Sequence, residues 1–364
     1  MNELSPEDKR WLDAAVRYAT PFAGTTADSP AVAAFIVEPL SQTLVTRAVT
    51  AKGGRPHAEA QAIEAAGYEA ANRTLYVTLE PCSAWGRTPP CVDAIIRSGI
   101  MRVVIGSADP RHAGSAALLE SAGIETIIAD HAPSLALHAG HLLRQTAERP
   151  FVTVALALSS DGRIDRSDEA KTSLLGSEAR DWIGMLRARS DAILVGAAAA
   201  NNDPDLTVKL PGLATRTPLR VVLSGASGVD RRMNLIGGFS GYRTAIIAET
   251  SVAVDPPVSI ETIRVNGKQG RPDLKLALAA LSGKGVHNLL VEPGQRLLAA
   301  LLEADLVDAV ALINTLGSLS DAGLLASPDG PIAELLVAAG LVELEQQCLG
   351  VDTLVRYGRP SAPV

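Results

Sequence analysis

Cysteine is scarce: Cys82, Cys91 and Cys348 are the only three in 364 residues. That number cannot build a disulfide framework, so any role for them lies in packing, thiol or metal chemistry. Aromatic residues make up only 3% of the chain. Aliphatic and alanine side chains must therefore fill the core, and stacking platforms for nucleic-acid bases are poorly supplied. Positive charge is not in surplus either, the formal net charge being −7 with no basic excess in either half. A surface for phosphate backbones is thereby disfavoured, and no nucleic-acid partner is expected. No apolar run approaches the roughly 18 residues of a membrane span, and the start MNELSPED is acidic where a secretory leader would be basic. The expectation is a cytoplasmic protein with no membrane partner.

What is present is an ordinary globular composition, 47% hydrophobic and 20% charged, at a length that suggests two domains. Ser5 followed by Pro6 caps an opening helix, and residues 31–37 read as a strand. A second helix starts at His57 and closes at Gly67. The β-rich run TLYVTL follows it, then a turn-rich loop, a helix opening at Cys91 and a buried-type strand at 102–105. Strands and helices keep alternating, and FVTVALALSSDGRID reads as the first strand of a new core. The boundary is placed between Ala147 and Pro150, giving domains 1–148 and 149–364, both α/β. Further on, a helix at 177–189, strands AILVG, LRVVLSG and YRTAIIAE, a helix at 273–282, strand NLLVE and a helix at 295–304 continue the pattern. Segments 226–241 and 253–273 read as surface loops.

The chemistry concentrates around His57-Ala58-Glu59, Pro81-Cys82 and Cys91. One imidazole and two thiols make three metal ligands, and an incomplete protein shell marks a catalytic rather than a structural Zn²⁺. Such an ion lowers the pKa of water to about 7, and Glu59, two residues from His57, is placed to carry the proton to a leaving amine. H-x-E followed by P-C and a further cysteine is the signature of zinc deaminases acting on bases. Here the two cysteines are separated by SAWGRTPP rather than by two residues. A lone HAE carries little weight and free cysteines are most often buried hydrophobes; it is the combination that points to a metal. The other histidines, His112, His131, His138, His141 and His287, read as solvated or capping residues, and Cys348 as core.

The segments PHAEAQAI, TLYVTLEPCSAWGRTPPCVDAIIRSGI, RPFVTVALALSSDGRI, LRARSDAILVG, DPDLTVK, PLRVVL and NLLVEPG resemble the bifunctional deaminase/reductases of riboflavin biosynthesis, from about Pro6 to Leu312. The resemblance implies a cytidine-deaminase-like three-layer α/β/α domain followed by a dihydrofolate-reductase-like α/β domain. The first would deaminate a 2,5-diamino-6-ribosylamino-pyrimidinone 5′-phosphate with Zn²⁺, and the second would reduce the ribosyl side chain with NADPH. It implies His57, Cys82 and Cys91 as zinc ligands and Glu59 as proton shuttle. Substrate contacts fall on Arg87, Arg187, Leu206, Lys209 and Glu292, and cofactor contacts on Ala157, Asn202 and Gly294. A homo-oligomer is also implied.

Several positions depart from that family's pattern. Ser29 stands where an amide is expected to read the pyrimidine, Thr50 where a histidine precedes the zinc histidine, and Ala84 where P-C-x-H carries its histidine. In the second half Ala155 replaces a lysine, Lys171 to Leu175 replace S-x-W-I-T, Asn202 faces the place of an aspartate, and Glu292-Pro293-Gly294 replaces E-G-G. Because proline has no N–H and fixes φ, a weakened reductase is expected. Two alternatives stay open at this point: a deaminase acting on a different pyrimidine, and a non-catalytic binding or scaffold protein.

Overall fold

The computed structural model describes residues 4–86, 88–164, 174–200, 205–226, 228–229, 234–237, 241–257, 259–319, 323–328 and 330–360. The chain divides into two compact units, Met1–Glu148 and Arg149–Val364. Among the described residues no helix is long and apolar enough to cross a membrane.

The first unit contains α1 (Pro6–Ala19), β1 (Ala33–Glu38), β2 (Thr43–Val49), α2 (Ala58–Ala66), β3 (Thr74–Val77), α3 (Cys91–Arg97), β4 (Arg102–Ile105), α4 (Ser115–Ser121), β5 (Glu125–Ile128) and α5 (Ala132–Thr146). Its five-stranded sheet has the order β2-β1-β3-β4-β5, with β1 antiparallel to both neighbours and β3, β4 and β5 parallel. Alternation along β1 divides the packing between two faces. Ala34 and Ile36 meet Ala58, Ala62, Val92 and Ile95 of α2 and α3. Ala33, Phe35 and Val37 meet Leu12, Ala15 and Ala19 of α1. Helices on both faces make the three layers. The Ser5 hydroxyl accepts from Asp8 N–H at 3.1 Å and so caps α1, and α2 stops at Gly67 with φ +53°, a conformation glycine adopts without strain.

The second unit contains β6 (Phe151–Leu158), β7 (Arg163–Ile164), α6 (Ser177–Ala188), β8 (Ala192–Gly196), α7 (Ala197–Ala200), β9 (Leu219–Leu223), α8 (Asn234–Gly237), β10 (Thr244–Glu249), β11 (Glu261–Val265), β12 (Gly267–Lys268), β13 (Arg271–Pro272), α9 (Leu274–Gly283), β14 (Asn288–Val291), α10 (Gln295–Glu303), β15 (Ala309–Asn314), β16 (Leu324–Leu325), α11 (Ile332–Ala338), β17 (Val342–Leu349) and β18 (Asp352–Gly358). Nine strands form one sheet in the order β11-β10-β9-β8-β14-β6-β15-β18-β17. It is parallel from β11 to β15 and antiparallel across the β15–β18–β17 end. The central strands are apolar on both faces, as covered parallel strands must be. Leu298 and Leu301 of α10 pack into the core on one side, while α6 covers the other through Trp182, Ile183 and Leu186.

Two segments expected as surface loops carry structure. Residues 261–265 form β11, paired parallel with β10, and residues 234–237 form the short α8. Only Ile263 and Val265 of β11 point inward. A short edge strand of that kind leaves too weak an alternation to stand out between Gly- and Pro-rich flanks.

Candidate deaminase and reductase sites

His57 is the N-cap of α2, Cys91 is the first residue of α3, and Cys82 follows β3 in the connecting loop. Backbone pairing draws the two cysteines together: Val92 N–H donates to Cys82 C=O at 3.2 Å, and Cys91 N–H reaches Cys82 Sγ at 3.3 Å. His57 Nδ1 lies 3.3 Å from Cys91 Sγ and 3.6 Å from Cys82 Sγ. All three ligand atoms fall within 4.8 Å of one another. One imidazole nitrogen and two sulfurs at this spacing suit the borderline-soft Zn²⁺, so the residues present fit the metal. The Cys91 thiol donates to Cys82 and draws its pKa down to about 3. The same bond, with burial, pushes Cys91 up. Burial works against a charge on His57, but Cys82 and Glu59 outweigh it and raise its pKa. Glu59 sits in the first turn of α2 at 3% exposure, and burial pushes its carboxyl upward.

A cavity of about 160 Å³ contains His57, Glu59 and Cys82 in its wall. Ser29, Thr50 and Ala84, the three positions that depart from the family pattern in this half, line the same cavity. Arg87 lies outside the described residues. Sequence reasoning missed Arg55, Arg111, Asp109 and His141, which also line it. His141 Nε2 binds Asp109 Oδ2 at 2.9 Å, with both residues buried. Burial opposes the Asp109 charge, yet the His141 bond and field hold its carboxyl below the usual range.

Burial corrects the expectation of solvated histidines, while His131 does take the N-cap position of α5, without a capping bond from its side chain. His131, His138, His141 and His287 are all buried. His138 Nε2 bonds Thr78 Oγ1 at 3.0 Å, and His131 bonds Ser134 Oγ and Asp13 Oδ1. The i, i+3 spacing of His138 and His141, which puts both on one face of α5, is the signal that was available. Cys348, expected in the core, is exposed on β17, where the strand turns nearly all its side chains outward.

The second unit holds a cavity of about 620 Å³ lined by Ala157, Arg187, Leu206, Lys209, Glu292 and Gly294. Six of the expected second-half positions thus meet in one place; Asn202 lies outside the described residues. Arg187 grips Glu292 in a fork, Nε to Oε1 and Nη2 to Oε2 both at 2.8 Å, while Nη1 donates to Thr207 C=O at 3.1 Å. Lys209 pairs with Asp205 at 2.9 Å. Ala155 and Pro293 are also in the wall. Gly294 N-caps α10, and a Cβ there would meet nothing within 4 Å. An open glycine at a helix N-terminus, in a cavity within the usual size range of small-molecule sites, fits a phosphate-bearing cofactor such as NADPH.

Residues 5–107 match the family model of the cytidine and deoxycytidylate deaminase zinc-binding region, and residues 150–315 match that of the RibD C-terminal domain. The riboflavin biosynthesis protein RibD of Escherichia coli K12 is 32% identical over 320 residues, covering 83% of this chain and 86% of that protein. The Aquifex aeolicus RibD is 31% identical over 310 residues, covering 84% and 86%. Among solved structures, Acinetobacter baumannii RibD superposes with a TM-score of 0.83 at 25% identity, covering 98% of this chain and 99% of that one. The diaminohydroxyphosphoribosylaminopyrimidine deaminase/5-amino-6-(5-phosphoribosylamino)uracil reductase of Thermotoga maritima gives 0.81 at 25% identity, covering 97% and 99%.

Proposed function

The chain belongs to the RibD family of riboflavin biosynthesis proteins, and from that premise we propose that its first unit deaminates the diaminopyrimidine ribotide and its second reduces the ribosyl chain of the product. It is an enzyme with a zinc-dependent deaminase domain and an NADPH-dependent reductase domain. The observation that carries the deaminase assignment is the His57, Cys82 and Cys91 group with buried Glu59 in the same cavity wall. His57, Cys82 and Cys91 would hold Zn²⁺, which when bound would supply the Lewis acidity that activates water near neutral pH. The Glu59 carboxylate would take a proton from the attacking water and deliver it to the departing amine. Burial raises the proton affinity of its carboxylate, which suits a group that takes a proton up and holds it before passing it on.

In the second unit Arg187, Leu206, Lys209 and Glu292 are assigned to the ribotide, with Arg87 of the first unit as a further phosphate contact in the deaminase step. Ala157, Asn202 and Gly294 are assigned to NADPH, which supplies the reducing equivalents. The Arg187–Glu292 fork presents a fixed polar edge to the cavity and orients a sugar hydroxyl without needing to move. The division of labour follows the two units at residue 148.

One observation favours a second reading for the first unit. Ser29, Thr50 and Ala84 all line the cavity that has His57, Glu59 and Cys82 in its wall, where they would bear on which pyrimidine is accepted. Supplying the zinc-loaded protein with the diaminopyrimidine ribotide, and following ammonia release and NADPH oxidation separately, tests each half. Ammonia from another aminopyrimidine but not from the ribotide would favour the second reading, and none from either would overturn the deaminase assignment.

A further inference from the structure

Arg55 stands two residues before His57 and lines the same cavity as His57 and Glu59. Its Nη1 donates to Thr88 Oγ1 at 2.9 Å and lies 3.3 Å from His57 Nδ1. Among the described residues no carboxylate comes within ion-pair distance of it, and its Nε is buried without an acceptor. A guanidinium carries five N–H donors and is never deprotonated. With His57 Nδ1 given to a metal, Thr88 Oγ1 is the one side-chain acceptor left to those donors among the described residues. Of the acids in the same wall, Asp109 binds His141 and Glu80 Oε2 takes the Asp109 N–H, while Glu80 Oε1 is buried without a hydrogen-bond partner and so makes no bond to Arg55.

The turn that carries Arg55 is tightly fixed. Gly54 has φ +90°, and a Cβ there would come within 2.7 Å of Ser29 Oγ and 2.8 Å of Thr26 C=O, so only glycine lets the two segments meet. Gly53 N–H donates to Thr25 C=O at 3.1 Å and locks them together. Ser29 therefore lies against the turn and offers a single hydroxyl donor, while the neighbouring residue brings a guanidinium with several donors into the cavity. Gly86 closes the other side without crowding it, since a Cβ there would reach 3.5 Å from Arg55 Nη2.

We propose that Arg55 reads the substrate's heterocycle, donating to the ring-nitrogen and carbonyl acceptors on the edge of an aminopyrimidinone held against the metal group. Attack at the amine-bearing carbon moves electron density onto the adjoining ring nitrogen. A fixed cationic donor on that edge therefore binds the transition state more tightly than the ground state. The inference rests on the deaminase reading above and extends it to a residue that determines which ring is accepted.

The test uses the zinc-loaded full chain and 2-aminopyrimidin-4-one, the bare heterocycle, as titrant in calorimetry. Wild type, Arg55→Ala and Arg55→Lys are compared, with ammonia release from the ribotide and zinc content by mass spectrometry measured on the same samples. Arg55→Ala is expected to weaken heterocycle binding about tenfold and to lower kcat/KM by about 10², with zinc retained. Arg55→Lys, a point charge without the planar fork, should fall between the two, and added guanidinium should restore part of the turnover lost in Arg55→Ala. Unchanged binding and kcat/KM in Arg55→Ala would overturn the proposal, as would loss of zinc in that variant, which would make Arg55 a support of the metal group. If the wild type binds the heterocycle in an Arg55-dependent way but releases no ammonia from the ribotide, the deaminase reading fails while the contact stands.

Discussion

Glu59→Gln changes one atom type in a buried side chain, and so separates proton transfer from metal binding. The amide is nearly isosteric but cannot accept a proton from water, so zinc content and melting temperature should stay at wild-type values. Turnover should fall by about 10² or more. Ammonia release at the wild-type rate would remove Glu59 from the mechanism. Cys82→Ser and Cys91→Ser should behave in the opposite way, losing zinc first, because a hydroxyl is a poor ligand for this metal. Mass spectrometry of the purified variants reads that directly, and full metal occupancy would mean the ligand set is wrong. These residues were legible in the sequence because the chemistry dictates their types: a metal asks for imidazole and thiol, and a proton shuttle for a carboxyl at a fixed offset. Arg55, Asp109 and His141 were not. What places them in the cavity wall is tertiary contact between the turn before α2, the loop after β4 and the middle of α5, and no local motif records such a meeting.

At the scale of elements, one ion pair adds to the apolar packing that holds α1 on the sheet. Asp8, in the first turn of α1, takes a fork from Arg102 of β4 at 2.7 and 2.9 Å and a hydrogen bond from Tyr76 OH of β3 at 2.9 Å. Burial opposes the Asp8 charge, but the Arg102, Ser5 and Tyr76 hydrogen bonds overcome it and hold its pKa at about 2 against an ordinary 3.8. A depressed carboxylate stabilises the fold above its unfolded-state pKa and loses that contribution as pH falls through the folded value. The contribution of Asp8 should therefore be complete above pH 3.8 and disappear as pH falls towards about 2. Asp8→Asn removes the buried carboxylate of the pair at any pH and leaves Arg102 only its Glu125 Oε1 contact at 2.9 Å, at a cost of about 2 kcal/mol. Chemical denaturation at neutral pH should show that loss, and the difference between variant and wild type should shrink in acid. An equal gap at both ends of the range would show that the pair adds nothing through charge. Pro6 and the Ser5 cap made α1 readable from the sequence, because helix starts are local events. The Asp8–Arg102 contact, 94 residues apart in sequence, was not readable, and neither was β11, whose identity as a strand depends on its pairing with β10.

At the scale of the whole molecule the two activities sit in separate units with separate cavities, and the departures from the family pattern bear on them unequally. The deaminase half keeps its metal group and Glu59 together. In the reductase half the retained Ala157, Arg187, Leu206, Lys209, Glu292 and Gly294 converge on one cavity, but Ala155 brings no cation to it and Pro293 no N–H. Pro293 immediately precedes Gly294, the N-cap of α10. A cofactor phosphate at that helix start thus loses one backbone donor that glycine would provide, while the other N–H groups of the first turn and the helix dipole remain. NADPH is accordingly expected to bind, but weakly, and ribotide reduction to run more slowly than deamination in the same preparation. Pro293→Gly should restore the donor and tighten NADPH binding by roughly ten- to a hundredfold, the worth of about one hydrogen bond to a charged group. Titration of the cofactor's fluorescence reads the affinity, and ammonia release measured on the same protein should not change. Unaltered NADPH affinity in Pro293→Gly would exclude the missing donor as the cause. If the wild type already reduces the ribotide as fast as it deaminates, the expected imbalance between the halves is wrong, and Ala155 and Pro293 are tolerated because the Arg187–Glu292 fork and the α10 N-terminus suffice to hold substrate and cofactor.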